Sequence, residues 1–184
     1  MRVISGSARG RKLKSVPGVS TRPITDRVKE SLFNIIGPEI QGSNFLDLFA
    51  GTGSVGIEAL SRGAKAALFI DVDRKAIESV NANLELTKLA DNANVIRGDA
   101  LTILERPAMG KFDYIYIAPP QYQGLWKIAL ELVDTHPDWL SPDAWVIVQI
   151  HPHEVEKLEL NYLVEFDRRN YGSTLLIFLQ VEGP

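Results

Sequence analysis

Strand-like and helical segments alternate along most of this 184-residue chain, and this order restricts the fold more than any other feature of the sequence. Short apolar runs predict strands at residues 44–50, 66–71, 94–97, 112–117 and 145–150. Apolar residues at helical spacing predict helices at residues 26–36, 55–61, 74–89, 100–106 and 125–133. Strands joined through helices pair in parallel, so the sequence predicts an α/β fold with helices on both faces of the sheet.

The last part of the chain breaks this alternation. Residues 162–168 and 174–181 are two strand-like runs, and a short segment containing Asn170, Tyr171 and Gly172 joins them. A connection of this length has no room for a helix, so we expect an antiparallel hairpin. The sequence therefore predicts a seven-stranded, mostly parallel sheet with a C-terminal antiparallel hairpin. Ligands of such sheets bind beyond the carboxyl ends of the strands, where the strand order reverses.

The composition excludes several classes of protein. The chain contains no cysteine, which rules out disulfides, thiolate metal sites and a cysteine nucleophile. Its apolar runs are shorter than the roughly 20 residues of a membrane span, and its N-terminus lacks the apolar segment of a secretory signal. The three histidines have no acidic or cysteine partner at ligand spacing. We expect a cytoplasmic protein, a monomer of one domain, that binds neither a membrane nor a metal.

Basic side chains are concentrated at the N-terminus. Residues 1–30 contain eight Lys or Arg and two acidic residues, a net charge of +6, whereas the whole chain carries −3 and the remainder therefore −9. Glycines and prolines interrupt the basic residues, which predicts a flexible strip and not a helix face. Such a strip suits a polyanion, and a solvated terminus is the alternative. We divide the chain into residues 1–36, a basic arm with its helix that packs on the domain, and residues 37–184, the domain itself.

A strand that runs into a glycine turn and a helix occupies residues 45–56. Gly51 and Gly53 let the backbone approach a ligand closely, and the following helix offers free N–H groups. With Gly56, this spacing also fits a dinucleotide-binding oxidoreductase. Asp47 argues against that alternative, because a carboxylate inside an apolar strand is costly to bury and would repel a pyrophosphate.

Two more acidic residues end the next two strands. Asp71 follows Gly51 at the spacing that lets a carboxylate accept hydrogen bonds from ribose hydroxyls. Asp99 is placed to accept from an adenine amino group, or else to cap the next helix. With Asp47, these residues predict a pocket for a nucleoside that carries a cationic amino-acid part.

These motifs resemble, in order and spacing, those of class I S-adenosylmethionine-dependent methyltransferases. The resemblance implies the Rossmann-like fold of that class and S-adenosylmethionine as cofactor. It implies that Asp47, Gly51 and Gly53 surround the methionine part, Asp71 the ribose and Asp99 the adenine. Neighbouring residues of the same motifs complete the implied cofactor site: Phe49, Ala50, Val72 and Ala100.

The fourth predicted strand ends in Ala118-Pro119-Pro120-Gln121-Tyr122. Two prolines stiffen a turn and leave carbonyl groups free of sheet hydrogen bonds. The segment resembles the Asp/Asn-Pro-Pro-aromatic motif of methyltransferases that act on the exocyclic amino groups of bases, and a plain strand end is the alternative. By this resemblance, carbonyls near Pro119 accept the amine hydrogens while Tyr122 stacks on the flipped base.

Residues 2–13 and 21–35, together with residues 47–53, closely resemble the RsmD family, and the resemblance spans nearly the whole chain. It implies methylation of the N2 amino group of a guanine in 16S ribosomal RNA, within an assembling small-subunit particle. It also implies that basic residues of the arm contact RNA phosphates. These residues are Arg9, Arg11, Lys12, Arg22 and Arg27.

The sequence departs from the family pattern at the substrate motif. Ala118 stands where the family has Asp, and Gln121 stands where it has an aromatic residue, with Tyr122 one position later. Asp113 lies too far along the strand to replace the lost acceptor. We expect the amide oxygen of Gln121, or a backbone carbonyl, to take this role. Two alternatives remain: methylation of another base amino group in RNA or DNA, and an RNA-binding or ribosome-assembly protein with weakened catalysis.

Overall fold

The computed structural model describes residues 1–18 and 23–182, and a seven-stranded sheet forms its centre. The strands are β1 (Asn44–Asp47), β2 (Ala66–Asp71), β3 (Ala93–Arg97), β4 (Phe112–Ile117), β5 (Leu140–Ile150), β6 (Leu163–Tyr171) and β7 (Thr174–Val181). The α-helices are α1 (Asp26–Ile36), α2 (Ser54–Ser61), α3 (Arg74–Thr87), α4 (Ala100–Leu104) and α5 (Leu125–Thr135). None of the helices in this part of the chain combines the length and the apolar composition needed to cross a membrane.

The strand order is β3-β2-β1-β4-β5-β7-β6. Strands β1 to β5 pair in parallel, whereas β7 is antiparallel to both β5 and β6. The chain builds one half of the sheet outward from β1, then crosses back and builds the other half from β4. The predicted fold class, including its C-terminal hairpin, is confirmed.

Several predicted boundaries differ from the observed ones. Strand β1 ends at Asp47 and not at residue 50, because the chain changes partner there: the Leu48 N–H donates to β4, while the Ala50 N–H donates to β2. Asn170 and Tyr171 belong to β6, so the hairpin turn is shorter than predicted. Strand β5 begins before its apolar run, at Leu140.

Buried apolar side chains form one cluster on each face of the sheet. Successive strand residues point to opposite faces, so Phe45 of β1 joins one cluster and Leu46 the other. Helices α1, α2 and α3 cover the first cluster, and α4 and α5 cover the second. The helical spacing of apolar residues therefore sets which side of each helix meets the sheet.

Residues 1–14 form a closed, hydrogen-bonded loop, so the prediction of a flexible strip is wrong for this part of the arm. Arg2 and Lys12 form an antiparallel bridge. Between and beside them, the apolar side chains of Val3, Ala8 and Leu13 are buried in the cluster beneath α1. The charges dominate the sequence pattern of the arm, but its sparse apolar residues determine its conformation.

Glu58 of α2 attaches this loop to the domain. Its carboxylate accepts hydrogen bonds from the backbone N–H groups of Ile4, at 2.8 Å, and Ser5, at 3.0 Å. Arg62 donates to the same carboxylate at 2.8 Å, and the Nζ of Lys29 in α1 lies 3.5 Å from it. The side chains of Glu58 and Lys29 are fully buried. Because water does not solvate them there, each charge is stabilised by the opposite charge of its partner.

Lys29 also connects the loop to α1. Its ammonium group donates to the carbonyl oxygen of Arg2 at 2.7 Å. Burial lowers the pKa of Lys29, and the nearby Glu58 carboxylate opposes part of that shift. The two buried charges therefore join the arm, α1 and α2 in one network.

Replacing Glu58 with Ala should lower the free energy of unfolding by about 3–5 kcal/mol, because it leaves the Lys29 charge buried without its partner. Urea denaturation measures this loss. The matched control is Glu78→Ala, which removes an exposed pair with Arg74 and should cost less than about 1 kcal/mol. Equal losses for the two variants would contradict the role given to Glu58.

Candidate active site

A cleft of about 1020 Å³ lies at the carboxyl ends of the parallel strands, where the strand order reverses between β1 and β4. Clefts of this size hold ligands as large as a nucleoside with a substituent. The predicted cofactor and substrate residues that line it are Asp47, Phe49, Ala50, Gly51, Asp71, Val72, Asp99, Ala100, Ala118, Pro119, Pro120 and Gln121. Gly53 and Tyr122, which were also predicted, lie outside this lining.

Two glycines shape the turn between β1 and α2. Gly51 and Gly53 have φ angles of 56° and 76°, in the left-handed region that glycine enters without the steric cost of a side chain. A Cβ atom at Gly51 would meet no described atom within 4 Å, so this residue opens onto the cleft. A Cβ atom at Gly53 would lie 3.3 Å from side-chain atoms of Ile57 and Val80, so Gly53 supports the turn from the interior.

Asp47 is a buried carboxyl group at the floor of the cleft. It is 1% exposed and accepts one hydrogen bond, from the Gly56 N–H at 3.2 Å. Burial raises the pKa of Asp47 to about 7, the negative charge of Asp71 adds to the shift, and the Gly56 hydrogen bond opposes it. The buried hydroxyl of Ser54, the first residue of α2, finds no hydrogen-bond partner within residues 1–18 and 23–182. The Ser54 hydroxyl can therefore donate a hydrogen bond to a ligand, and the Asp47 carboxyl group can accept one.

Asp71 and Asp99 are both held by backbone hydrogen bonds. Asp71 accepts from the N–H groups of Gly51, at 2.8 Å, and Asp73, at 2.9 Å, and it lies half-buried at the cleft. A carboxylate has about four lone-pair sites, so Asp71 retains acceptor capacity. Asp99 is exposed and caps α4 through the Leu101 N–H at 3.0 Å. The helix-cap alternative considered for Asp99 is thus present, and the same side chain lines the cleft.

The segment after β4 contributes the opposite wall. Ala118 to Gln121 line the cleft, with Pro119 buried and Gln121 exposed. Tyr122 is 65% exposed, and its ring centroid lies beside the cleft, 5.6 Å from that of His151. The stacking of Tyr122 on a base therefore stays a prediction.

Tyr116 and Gln149 line the cleft and were not predicted. The Tyr116 hydroxyl donates to the amide oxygen of Gln149. Burial and the nearby Asp47 raise the pKa of Tyr116, so the hydroxyl remains protonated. Asp47, Tyr116 and Gln149 lie on adjacent strands, and the register of β1 against β4 pairs Asp47 directly with Tyr116. The alternation of side-chain direction along β4 is the one sequence feature that could have indicated Tyr116. Gln149 is identified only by the pairing of the strands.

The arm also lines the cleft. Ser15, Val16, Pro23 and Ile24 contribute to its lining. Asn83 of α3 fixes the end of the loop there, since its side-chain oxygen accepts from the Lys14 N–H at 2.7 Å. The amide nitrogen of Asn83 donates to the carbonyls of Lys14 and of Thr52, which is itself a cleft residue.

Four of the five predicted RNA-binding residues lie on the surface of the arm and of α1. Arg9, Arg11 and Lys12 are exposed on the loop, and Arg27 is exposed at the start of α1. Arg22 lies outside the described residues. Among the described residues, no group of three or more acidic or histidine side chains is arranged to hold a metal ion.

The family model described as "Conserved hypothetical protein 95" matches residues 1–180 of this chain. The chain is similar to the protein named "Putative rRNA methyltransferase YlbH" of Bacillus subtilis (strain 168), at 46% identity over 100% of both chains. It is also similar to "Ribosomal RNA small subunit methyltransferase D" of Haemophilus influenzae, at 39% identity over 81% of this chain and 78% of that protein.

Two solved structures place the fold among known ones. The structure described as "Putative methyltransferase yhhF from Escherichia coli" superimposes with a TM-score of 0.86 at 34% identity, covering 100% of this chain and 99% of that one. SMU.776, solved in complex with SAH, gives a TM-score of 0.65 at 17% identity over 84% of this chain and 48% of that one, and this shows the fold alone. The chain therefore has the class I methyltransferase fold and belongs to the RsmD family of methyltransferases.

Proposed function

We propose that this protein transfers a methyl group from S-adenosylmethionine to the N2 amino group of a guanine in 16S ribosomal RNA, within an assembling small-subunit particle. One observation carries the proposal: the acidic residues beside the glycine turn and the Pro119-Pro120 segment line the same cleft. The name of the Haemophilus influenzae relative supports the ribosomal substrate. The SAH bound by SMU.776, a protein with this fold, supports the cofactor.

The residues at the glycine turn suit S-adenosylmethionine. The unpartnered Ser54 hydroxyl and the free N–H groups of α2 suit its carboxylate, and Asp47 suits its cationic amine. Asp71 would accept hydrogen bonds from the ribose hydroxyls and Asp99 from the adenine amino group. When bound, S-adenosylmethionine supplies a methyl group activated by its sulfonium charge.

The segment after β4 would hold the amine that receives the methyl group. The amine of a base is a poor nucleophile because its lone pair is delocalised into the ring. Acceptors for its two hydrogens favour a tetrahedral nitrogen and concentrate the lone pair on it. Carbonyl groups near Pro119 and the amide oxygen of Gln121 are such acceptors at the cleft wall. Gln121 would thereby replace the Asp acceptor that the family has at the position of Ala118.

The exposed cations of the arm would hold the RNA. Arg9, Arg11, Lys12 and Arg27 present positive charge near residues of the arm that line the cleft. Contacts of this kind with phosphates are independent of base sequence and weaken as the salt concentration rises. They would fix the strand while the cleft receives one base.

The direct test uses labelled methyl groups. Small-subunit particles that lack this enzyme are incubated with the protein and methyl-labelled S-adenosylmethionine, and the RNA is digested to nucleosides. We expect label in N2-methylguanosine. Label in another methylated base would support the alternative that Ala118 keeps open, and no transfer despite cofactor binding would contradict the proposed enzyme activity.

Gln121→Ala should lower kcat by about 10- to 150-fold, since losing a hydrogen bond to the reacting amine costs roughly 1.5–3 kcal/mol. Adding Ala118→Asp to this variant should restore much of the rate, because it supplies a carboxylate acceptor in the same segment. Gln180→Ala, at an exposed position of β7, is the control. Unchanged kcat in Gln121→Ala would show that backbone carbonyls suffice.

Asp47→Asn should change how the stability of the cofactor-free protein depends on pH. Because the folded-state pKa of Asp47 is raised to about 7, the unfolded chain loses this proton first as the pH rises. The free energy of unfolding of the wild type therefore falls progressively between about pH 4 and about pH 7. Above about pH 7 the contribution of Asp47 no longer changes with pH. The stability of the variant relative to wild type should increase by roughly 4 kcal/mol across this range.

Urea denaturation at a series of pH values measures this difference, and a difference independent of pH would contradict the assignment. The same variant should bind S-adenosylmethionine more weakly, because the neutral amide cannot offset the charge of the amine.

A further inference from the structure

Three rings form a continuous row beside the cleft. The ring centroids of Tyr122 and His151 are 5.6 Å apart, and those of His151 and His153 are 4.7 Å apart. Tyr122 and His153 are exposed, and His151 is half-buried between them. Gln121, the residue before Tyr122, lines the cleft, so the row begins where the cleft opens.

One carboxylate holds this row in place. Glu154 accepts the Tyr122 N–H at 2.7 Å through one oxygen and the His151 N–H at 3.0 Å through the other. Tyr122 has a φ angle of 60°, a left-handed conformation that is unfavourable for a residue with a side chain. Glu154 thus joins the segments after β4 and β5 and keeps the Tyr122 ring exposed despite this cost.

The rings of His151 and His153 differ in what they do for the fold. The Nδ1 of His151 accepts the His153 N–H at 3.2 Å and caps the short turn Pro152–Glu154. His153 takes part through its backbone, and its exposed ring points to the surface beside His151. The ring planes of Tyr122 and His151 are inclined at 39°, and those of His151 and His153 at 64°, so each exposed ring presents a face of its own. An exposed aromatic face is what an unpaired base stacks on.

We propose that Tyr122, His151 and His153 form a stacking surface for an unpaired RNA nucleotide that adjoins the target base. Because Tyr122 lies outside the cleft lining, this role replaces its expected stacking on the target base itself. This proposal rests on the proposed function, because an extruded base leaves its neighbours unstacked at the edge of the cleft. Both oxygens of Glu154 accept backbone N–H groups of the protein, and Glu156 pairs with the cation of Lys127, so the two nearby carboxylates are engaged within the protein. This surface contacts the base, and the basic residues of the arm contact the phosphates.

The test uses the full-length protein and fluorescein-labelled decauridylate, a single-stranded RNA, with binding followed by fluorescence anisotropy. His153→Ala should weaken binding by about 5- to 150-fold, the range that loss of one stacking contact gives. His153→Phe should retain the wild-type affinity, because a phenyl ring also stacks. The control His136→Ala removes the histidine that ends α5 and precedes β5, whereas His151 and His153 follow β5, and it should leave binding unchanged.

Salt dependence separates stacking from a phosphate contact. Stacking carries no charge, so the ratio of the wild-type and His153→Ala affinities should be the same at about 50 mM and about 200 mM salt, although both affinities fall. A ratio that shrinks with salt, a His153→Ala variant with wild-type affinity, or a His153→Phe variant as weak as His153→Ala would each overturn the proposal.

The two proposals fail separately. If the wild type transfers no methyl group but His153→Ala still weakens decauridylate binding, the proposed function is wrong and the stacking surface stands. If methyl transfer succeeds but the histidine variants bind like the wild type, the stacking surface is wrong. With small-subunit particles that lack this enzyme as the methyl acceptor, loss of the His153 ring should raise KM and leave kcat unchanged, because His153 lies outside the cleft.

Discussion

The reversal of strand order between β1 and β4 is the constraint on which the candidate active site depends. Parallel strands on either side of a reversal send their following segments in opposite directions, which opens a cleft between them. The glycine turn follows β1 and the Pro119-Pro120 segment follows β4, so the two motifs face each other although far apart in sequence. Their closeness follows from topology and requires no direct contact between them.

The buried charges of Glu58 and Lys29 connect this cleft to the arm. Glu58 lies in α2, the helix that begins at the glycine turn, and the N–H groups of the arm donate to it. Asn83 makes a second connection, between the end of the loop and Thr52 in the cleft wall. Helices α2 and α3, which begin beside the cleft, thus also hold the arm and determine where its basic surface lies.

Local patterns in the sequence were sufficient to predict the order of strands and helices and twelve of the residues that line the cleft, because apolar spacing and glycine turns act over a few residues. The features that were missed depend on tertiary contacts. Tyr116 and Gln149 meet through strand pairing, and the exposed ring of Tyr122 is held by Glu154, which lies 32 residues away. Residues 1–14 are ordered because their few apolar side chains reach a core built by other elements.

The two parts of the molecule carry net charges of opposite sign. The cleft contains the carboxyl groups of Asp47, Asp71 and Asp99, and the chain beyond residue 30 has a net charge of −9. Phosphates are repelled from such a cleft and attracted to residues 1–30, which carry +6. In the proposed function, an RNA strand would therefore lie along the arm with only an uncharged base in the cleft. In the proposed reaction, charge orients the strand before any contact with the base forms.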